Sequence, residues 1–480
     1  MKHQKGILGC ISAVMLVALM GCNDDDSKKG TDSDVDTNSD ADTSSDTNTG
    51  ADSDSADSDT GTITIHWDWN GVVGTGQSLA VGQNSIVTTR EQPYNNLKLS
   101  TGNLEWPVNA ADTTLAMVPL AEPVGRRSTN YPSSWPTNIA GETPHSAMGN
   151  QITAMVEAGA STDFVGVHGE FGENGQCMYY LKKNPTVDPD GINGRAFEAT
   201  LIETQAITRL AQEAGKTYGV GAVILTHGEC DAGNVTYEDE MHQLWADYNT
   251  DIKAITGQIE DIQMIVSQQH SVNNRSDAAL AQWKVGVDYP DSIVCSGPKY
   301  QYPYSSDGIH LVADGYRQLG EKYGQVYFER VIKGTDWQPL QPLDATRNGR
   351  VITVRFHVPV PPLVFDETLP TPHAGSEKWR NGEGFEVRNV VGMEIAIESV
   401  EIDGDSVIIT CGEDLPGVAY VNYAMYSDSD TIMSVTDPVS GDELWSGTTR
   451  WGRLRDSDPF VGAGTGVPQP NWCVAFELDV

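Results

Sequence analysis

Gly74-Thr75-Gly76-Gln77-Ser78-Leu79-Ala80-Val81-Gly82 follows the apolar pair Val72-Val73, so a strand runs into a glycine-bearing turn. A strand that ends in Gly-x-Gly turns sharply and leaves one hydroxyl, that of Ser78, at the carboxyl edge of a sheet. Open α/β folds place their chemistry along that edge. A serine there becomes a nucleophile only if the chain also supplies a base, an acid that orients the base, and donors for an oxyanion.

Two further turns of this kind lie downstream. Phe164-Val165-Gly166-Val167 reads as a strand and enters His168-Gly169-Glu170-Phe171-Gly172-Glu173-Asn174-Gly175. Val220 to Leu225 is a continuous apolar run, as expected of a strand buried on both faces, and it enters Thr226-His227-Gly228-Glu229-Cys230-Asp231. Helices are expected at 147–158 and from Phe197 to Gly215, where Leu201, Ile202, Ala206, Ile207, Leu210 and Ala214 form one apolar stripe. Tyr237 to Ile255 and Ala313 to Ile332 read as helices, and Ile262 to Val266 and Ile293 to Cys295 as strands. This alternation predicts an α/β fold with a doubly wound parallel sheet over 61–334. Residues 88–150, rich in Asn, Pro, Thr and Gly, read as long loops suited to a cleft.

The pattern changes after Gly334. Trp337 to Asn348 carries prolines and no periodicity. Beyond it come strands at Val351–Phe356, Phe385–Val387, Glu394–Ile397, Val407–Thr410, Val418–Val421 and Cys473–Phe476. Separated by Gly, Pro, Asp and Asn turns, they predict a smaller all-β, sandwich-like domain over 335–480. The tryptophans of this region, Trp379, Trp445, Trp451 and Trp472, read as core.

In a parallel sheet with right-handed crossovers, the three glycine turns share one edge with Ser306-Asp307-Gly308-Ile309-His310. His310 would take the proton of Ser78, and Asp307 would hold the imidazole in the right tautomer and stabilise the imidazolium. The oxyanion would be met by the Ser78 backbone N–H, a glycine N–H of the second turn and a side chain of the third. Tyr300-Gln301-Tyr302-Pro303-Tyr304, just before this loop, can either stack on sugar rings or pack the loop.

Gly76-Gln77-Ser78, the 169–172 turn, Gly228-Glu229-Cys230-Asp231 and Asp307-Gly308-Ile309-His310 with Gly315-Tyr316 resemble the ordered blocks of the SGNH hydrolase superfamily. Within it they are similar to the sialate O-acetylesterase-like branch of carbohydrate acetylesterases. The resemblance covers about residues 70–333. It implies a flavodoxin-like SGNH fold and a serine esterase that deacetylates an O-acetylated carbohydrate through Ser78, His310 and Asp307. It also implies an oxyanion hole formed by Ser78, Gly172 and His227, with no cofactor. His227 stands where the family has Gln, and an imidazole N–H can take the same role. Cys230 replaces a small Ser, a change read as packing. The second turn is Gly-Glu-Phe-Gly rather than Gly-Gly, which leaves Gly169 and Gly172 open as donors, with Gly172 preferred. Two other functions stay open: a lipid or polyester ester hydrolase on the same triad, and a non-catalytic surface glycan-binding lipoprotein.

The formal charge of -37 disfavours nucleic acid and anionic lipid headgroups as partners. Lys2 and Lys5 precede an apolar run from Ile7 to Met20, and Leu19-Met20-Gly21-Cys22 resembles the bacterial lipobox. Residues 1–22 are therefore expected to be a lipoprotein signal peptide, with lipidation at Cys22 and a lipid anchor in the cell envelope, at the outer membrane. Thirteen aspartates and two lysines among mostly small polar residues make 23–60 an expected disordered acidic tether. Of the seven cysteines, Cys411 and Cys473 are available to pair, and no spacing has the pattern of a metal site.

Overall fold

The glycine-ended strand and the two apolar runs beside it become the centre of one sheet. In a computed structural model the chain is described over residues 62–100, 109–124, 141–160, 162–184, 193–271, 275–367, 381–415, 417–426, 434–436, 443–445 and 451–480. The expected signal peptide, Cys22 and tether lie outside the described residues, as does Trp379. The elements are β1 (Trp69–Gly76), β2 (Leu97–Leu99), β3 (Met117–Pro119), α1 (Pro144–Gly159), β4 (Gly166–Glu170), α2 (Met178–Leu181) and α3 (Arg195–Glu213). They continue through β5 (Tyr218–Thr226), α4 (Tyr237–Thr256), β6 (Gln263–Gln268), α5 (Asp277–Asp288), β7 (Ile293–Pro298) and α6 (Ala313–Tyr327).

The seven strands run in the order β3-β2-β4-β1-β5-β6-β7, parallel except for β3. β1 lies between β4, which follows it on one side, and β5, which opens the other side. The carboxyl ends of these three strands therefore flank the crevice where the winding reverses, the usual ligand site of such sheets.

Side chains alternate across the sheet. Val72, Ala222, Ile224 and Ile265 pack with Met148 and Ile152 of α1 and with Leu319 and Tyr323 of α6. Val73, Val223, Leu225 and Val266 face the layer of α3, α4 and α5. Helix ends follow local chemistry. Thr143 caps α1 by accepting from the His145 amide, Ser276 caps α5 by accepting from Ala279, and α4 stops at Gly257 with φ 75°. The expected helix from Ala313 to Ile332 is α6 followed by a π-helical turn over Phe328–Ile332.

Beyond Gly334 the chain is antiparallel: β8 (Gln341–Asn348), β9 (Val351–His357), β10 (Val364–Phe365), β11 (Phe385–Asn389), β12 (Glu394–Ile395), β13 (Ile397–Asp403), β14 (Ser406–Cys411), β15 (Ala419–Tyr423), β16 (Ser434–Thr436), β17 (Glu443–Trp445), β18 (Leu454–Arg455) and β19 (Phe476–Asp479). Two four-stranded sheets, β12-β11-β15-β19 and β13-β14-β9-β8, form the sandwich. β8 fills the stretch that carries no periodicity. It is an edge strand, and its pairing with β9 slips between Pro342 and Asp344, the setting in which a strand tolerates proline. Cys411 and Cys473 do not pair; both are buried free thiols.

The boundary near 334 divides the chain by element type rather than by core. Phe356 and Phe476 of the sandwich belong to the same apolar cluster as Val223, Val266 and Trp283. Gln268 at the end of β6 joins the two parts. Its Nε2 donates to the Ala475 carbonyl and its Oε1 accepts from the Ala475 amide, each at 2.7 Å and buried. Gln268→Leu strands both backbone groups. It should cost about 2–4 kcal/mol, read as a lowered urea midpoint, and an unchanged midpoint would show that the joint is dispensable.

Candidate active site

Ser78 follows directly on β1. Gly76 has φ 142°, and a Cβ there would collide with the Thr226 carbonyl, so only glycine lets β1 turn this close to β5. The chain then coils: Gln77 O accepts from Ala80 N at 2.9 Å and Ser78 O from Gln83 N at 3.0 Å. Ser78 is 5 % exposed, and its N–H has no hydrogen-bond partner among the described residues.

Asp307 and His310 come together in the loop before α6. His310 Nδ1 donates to Asp307 Oδ2 at 2.6 Å, and Asp307 Oδ1 accepts from Ser305 Oγ and from the Ile309 and His310 amides at 2.7–3.0 Å. Burial opposes the charge, but the bonds from the His310 ring and amide, Ser305 and Ile309 prevail and hold the carboxyl well below the usual carboxylate range. The Nδ1 bond leaves Nε2 as the basic nitrogen. His310 Nε2 and Ser78 Oγ are not hydrogen-bonded to one another among the described residues.

Asn84 ties this pair to the serine turn, and no motif flagged it. It sits in the left-handed region at φ 61°, and its Nδ2 donates to Asp307 Oδ2 at 2.5 Å. A second tie joins Tyr316 OH to the Gln83 carbonyl at 2.9 Å. The turn opened by Ser78 thus closes on the acid that orients His310.

The other two turns are built differently from expectation. Gly169 lies inside β4, paired with Val73, whereas Gly172 lies beyond the strand end. The Gly172 N–H is donated to Glu170 Oε1 at 2.5 Å. Glu170 Oε2 accepts from His145 Nε2 at 2.9 Å, and His145 Nδ1 faces His168 Nδ1 at 3.3 Å. All three side chains are buried, and burial together with His145 pushes the His168 pKa well down. His168 is thus a core residue.

His227 is fully buried with both ring nitrogens in use. Nε2 donates to the Gln176 carbonyl at 2.9 Å, so Nδ1 accepts from Tyr237 OH at 2.6 Å. Burial lowers its pKa and keeps it neutral. In this arrangement the N–H groups of Gly172 and His227 are both committed to the protein, which leaves the Ser78 N–H as the free donor of the expected three.

Cys230 does more than pack: it forms a disulfide with Cys177 across 53 residues. Asp231 Oδ2 accepts from Met178 N at 2.7 Å, and the Cys230 amide donates to Gln77 Oε1 at 3.2 Å. His227, the disulfide and Asp231 therefore fasten the third turn to the second, and Cys230 fastens it to the serine turn. Tyr300 and Tyr304 are buried as packing residues are, and Tyr302, also largely buried, borders a cavity whose lining includes neither Ser78 nor His310. No group of three His, Cys, Asp or Glu side chains that could hold a metal occurs among the described residues.

No family model and no curated protein matches the chain. Among solved structures, it is similar to a carbohydrate acetylesterase from Xanthomonas citri, at 13 % identity and TM-score 0.49, over 85 % of this chain and 80 % of that one. It is also similar to a protein from Arabidopsis thaliana, at 15 % identity and TM-score 0.39, over 55 % of this chain and 100 % of that one. A third is a carbohydrate acetylesterase from Sinorhizobium meliloti, at 13 % identity and TM-score 0.29, over 54 % of this chain and 96 % of that one.

Cys177→Ser with Cys230→Ser reopens the loop and should lower stability by about 2–4 kcal/mol in urea unfolding; an equal stability would mean the bridge constrains nothing. The depressed Asp307 pKa stabilises the fold above the unfolded value of about 3.9, and that contribution is lost as pH falls through the folded value. The stability gap between wild type and Asp307→Asn should therefore be present at about pH 5 and shrink as pH falls below about 4. A gap that closes near neutrality would contradict it.

Proposed function

We propose that the protein is a serine esterase that removes acetyl groups from an O-acetylated carbohydrate. The observation that carries this reading is the Asp307–His310 pair bound through Asn84 to the turn that begins at Ser78, beside the crevice of the sheet. Ser78 Oγ attacks the acetyl carbonyl carbon as His310 Nε2 takes the hydroxyl proton. The negative oxygen of the tetrahedral intermediate meets the free Ser78 N–H. Collapse breaks the bond to the sugar oxygen, which leaves with the proton from His310, and the acetyl group remains on Ser78. Water, deprotonated by His310, then releases acetate and restores the serine. Asp307 stays ionised throughout and stabilises the imidazolium.

Gly172 and His227 follow the carboxyl ends of β4 and β5, with their N–H groups bonded within the protein. For Gly172 to donate directly, Glu170 has to give up its bond. The chain itself supplies the nucleophile, the base and the acid, so no cofactor is invoked. The expected lipid anchor at Cys22 and the acidic tether support a site held about 35 Å or more from a membrane of the cell envelope.

The test is hydrolysis of nitrophenyl acetate and of acetylated oligosaccharides. Ser78→Ala and His310→Ala should each lose at least about 10³-fold in kcat/KM. Full activity in Ser78→Ala would overturn the acyl-enzyme, and a preference for long acyl chains would favour a lipid or polyester substrate.

A further inference from the structure

A cavity of about 490 Å³ lies between α6 and the last segment of the chain, with Gln301 and Tyr302 on its rim. This is the size of a small-ligand site. It contains neither Ser78 nor His310, although Tyr302 belongs to the segment that leads into the Asp307–His310 loop.

Its lining has a definite chemistry. Trp472 and Tyr302 provide two aromatic walls. Two cations, Lys322 and Arg455, face two carboxylates, Asp366 and Asp458, so the formal charges cancel. Each of these groups is bonded within the protein. Lys322 Nζ spends its three donors on Gln325 Oε1, the Gln469 carbonyl and Asn471 Oδ1, at 2.7–3.1 Å. Arg455 Nε is held by Asp366 Oδ2 at 2.5 Å, and Asp458 accepts from the Phe460 amide, Gln325 and Asn471. The lining as a whole carries no net formal charge to attract a charged ligand.

The neutral groups are not all matched. Gln469 is 4 % exposed, and its Oε1 has no hydrogen-bond partner among the described residues, a costly state for a buried acceptor. Its Nε2 is fixed on Glu321 Oε2 at 2.7 Å, so the amide cannot turn away to find one. Gln318, on the half-buried surface of α6, adds to the same lining an amide that makes no hydrogen bond among the described residues.

Aromatic walls, balanced charge and spare amide groups describe the complement of a pyranose, which offers C–H faces to rings and hydroxyls to amides. We propose that this cavity is a binding site for a neutral glycan, with Trp472 and Tyr302 against the sugar and Gln469 and Gln318 on its hydroxyls. The site goes beyond the esterase reading and does not require it. Binding is therefore measured in the full chain carrying Ser78→Ala, while turnover is measured separately in the serine-intact chain.

The experiment is a calorimetric titration with cellotetraose, xylotetraose and mannotetraose, with trigalacturonate as the charged counterpart. Saturable binding of at least one neutral tetraose is expected. Gln318→Trp, which fills the cavity from the helix surface, should weaken it at least tenfold. Trp472→Phe should weaken it too, with the urea midpoint reported for both variants. The proposal is overturned if no neutral tetraose binds, if binding survives Gln318→Trp undiminished, or if trigalacturonate binds more tightly.

Discussion

The parallel pairing of β1 with β4 on one side and β5 on the other is the constraint on which the remaining structure depends. Gly74 stands opposite Glu170 and Gly76 opposite Thr226, so the three strands end within two residues of one another. Each end then has to turn in the same small space. Glycine is required where the backbones approach. A Cβ on Gly74 would strike Glu170 and His145, and one on Gly172 would crowd Glu170 and Ala80. The glycines that mark the turns in the sequence are thus the residues that let a buried polar layer lie directly under them.

That layer is costly to bury and is closely paired for that reason. Arg195 and Glu173, both nearly inaccessible, meet at 2.8 Å and pin the second turn to the start of α3. Burial raises the Glu173 pKa against the pull of Arg195. Lys299, fully buried, reaches Glu229 of the third turn at 3.1 Å. Such pairs add little net stability over an apolar core, but breaking one leaves an uncompensated charge, so they favour a single arrangement of the loops. With the disulfide and His227, they make a rigid frame around Ser78, and precise placement of a nucleophile needs such a frame.

The C-terminal sandwich completes the same body. Tyr300 OH donates to the Cys473 carbonyl at 2.6 Å, and Glu321 of α6 accepts from the Gly464 and Thr465 amides and from Gln469. The segment that carries Asp307 and His310 is therefore backed by residues more than 150 positions away. The sandwich acts on the site by supporting the tyrosine-rich stretch behind it, and the cavity beside Trp472 lies along that same seam.

The strands, the helices and the order of the turns were legible in the sequence because each rests on local chemistry. Val220–Leu225 is apolar enough to be buried on both faces, Phe197–Gly215 repeats at helical spacing, and Asp307 and His310 are close enough in the chain to bond within one loop. β8 was not legible, because prolines mask an edge strand. α5 and the short β2 and β3 also went unread, their patterns being too brief to separate from loop. The partners of single side chains were decided only by the tertiary structure. Cys230 bonds Cys177 rather than simply packing, Cys411 and Cys473 stay apart, and Asn84 meets Asp307 across more than 220 residues. His227 turns both nitrogens inward, and Gly172 gives its amide to Glu170. None of these contacts leaves a periodic trace in the chain: Cys177 with Cys230, Asn84 with Asp307 and His227 with Gln176 join segments distant in sequence, and the Gly172 bond to Glu170 depends on how the backbone turns beyond β4.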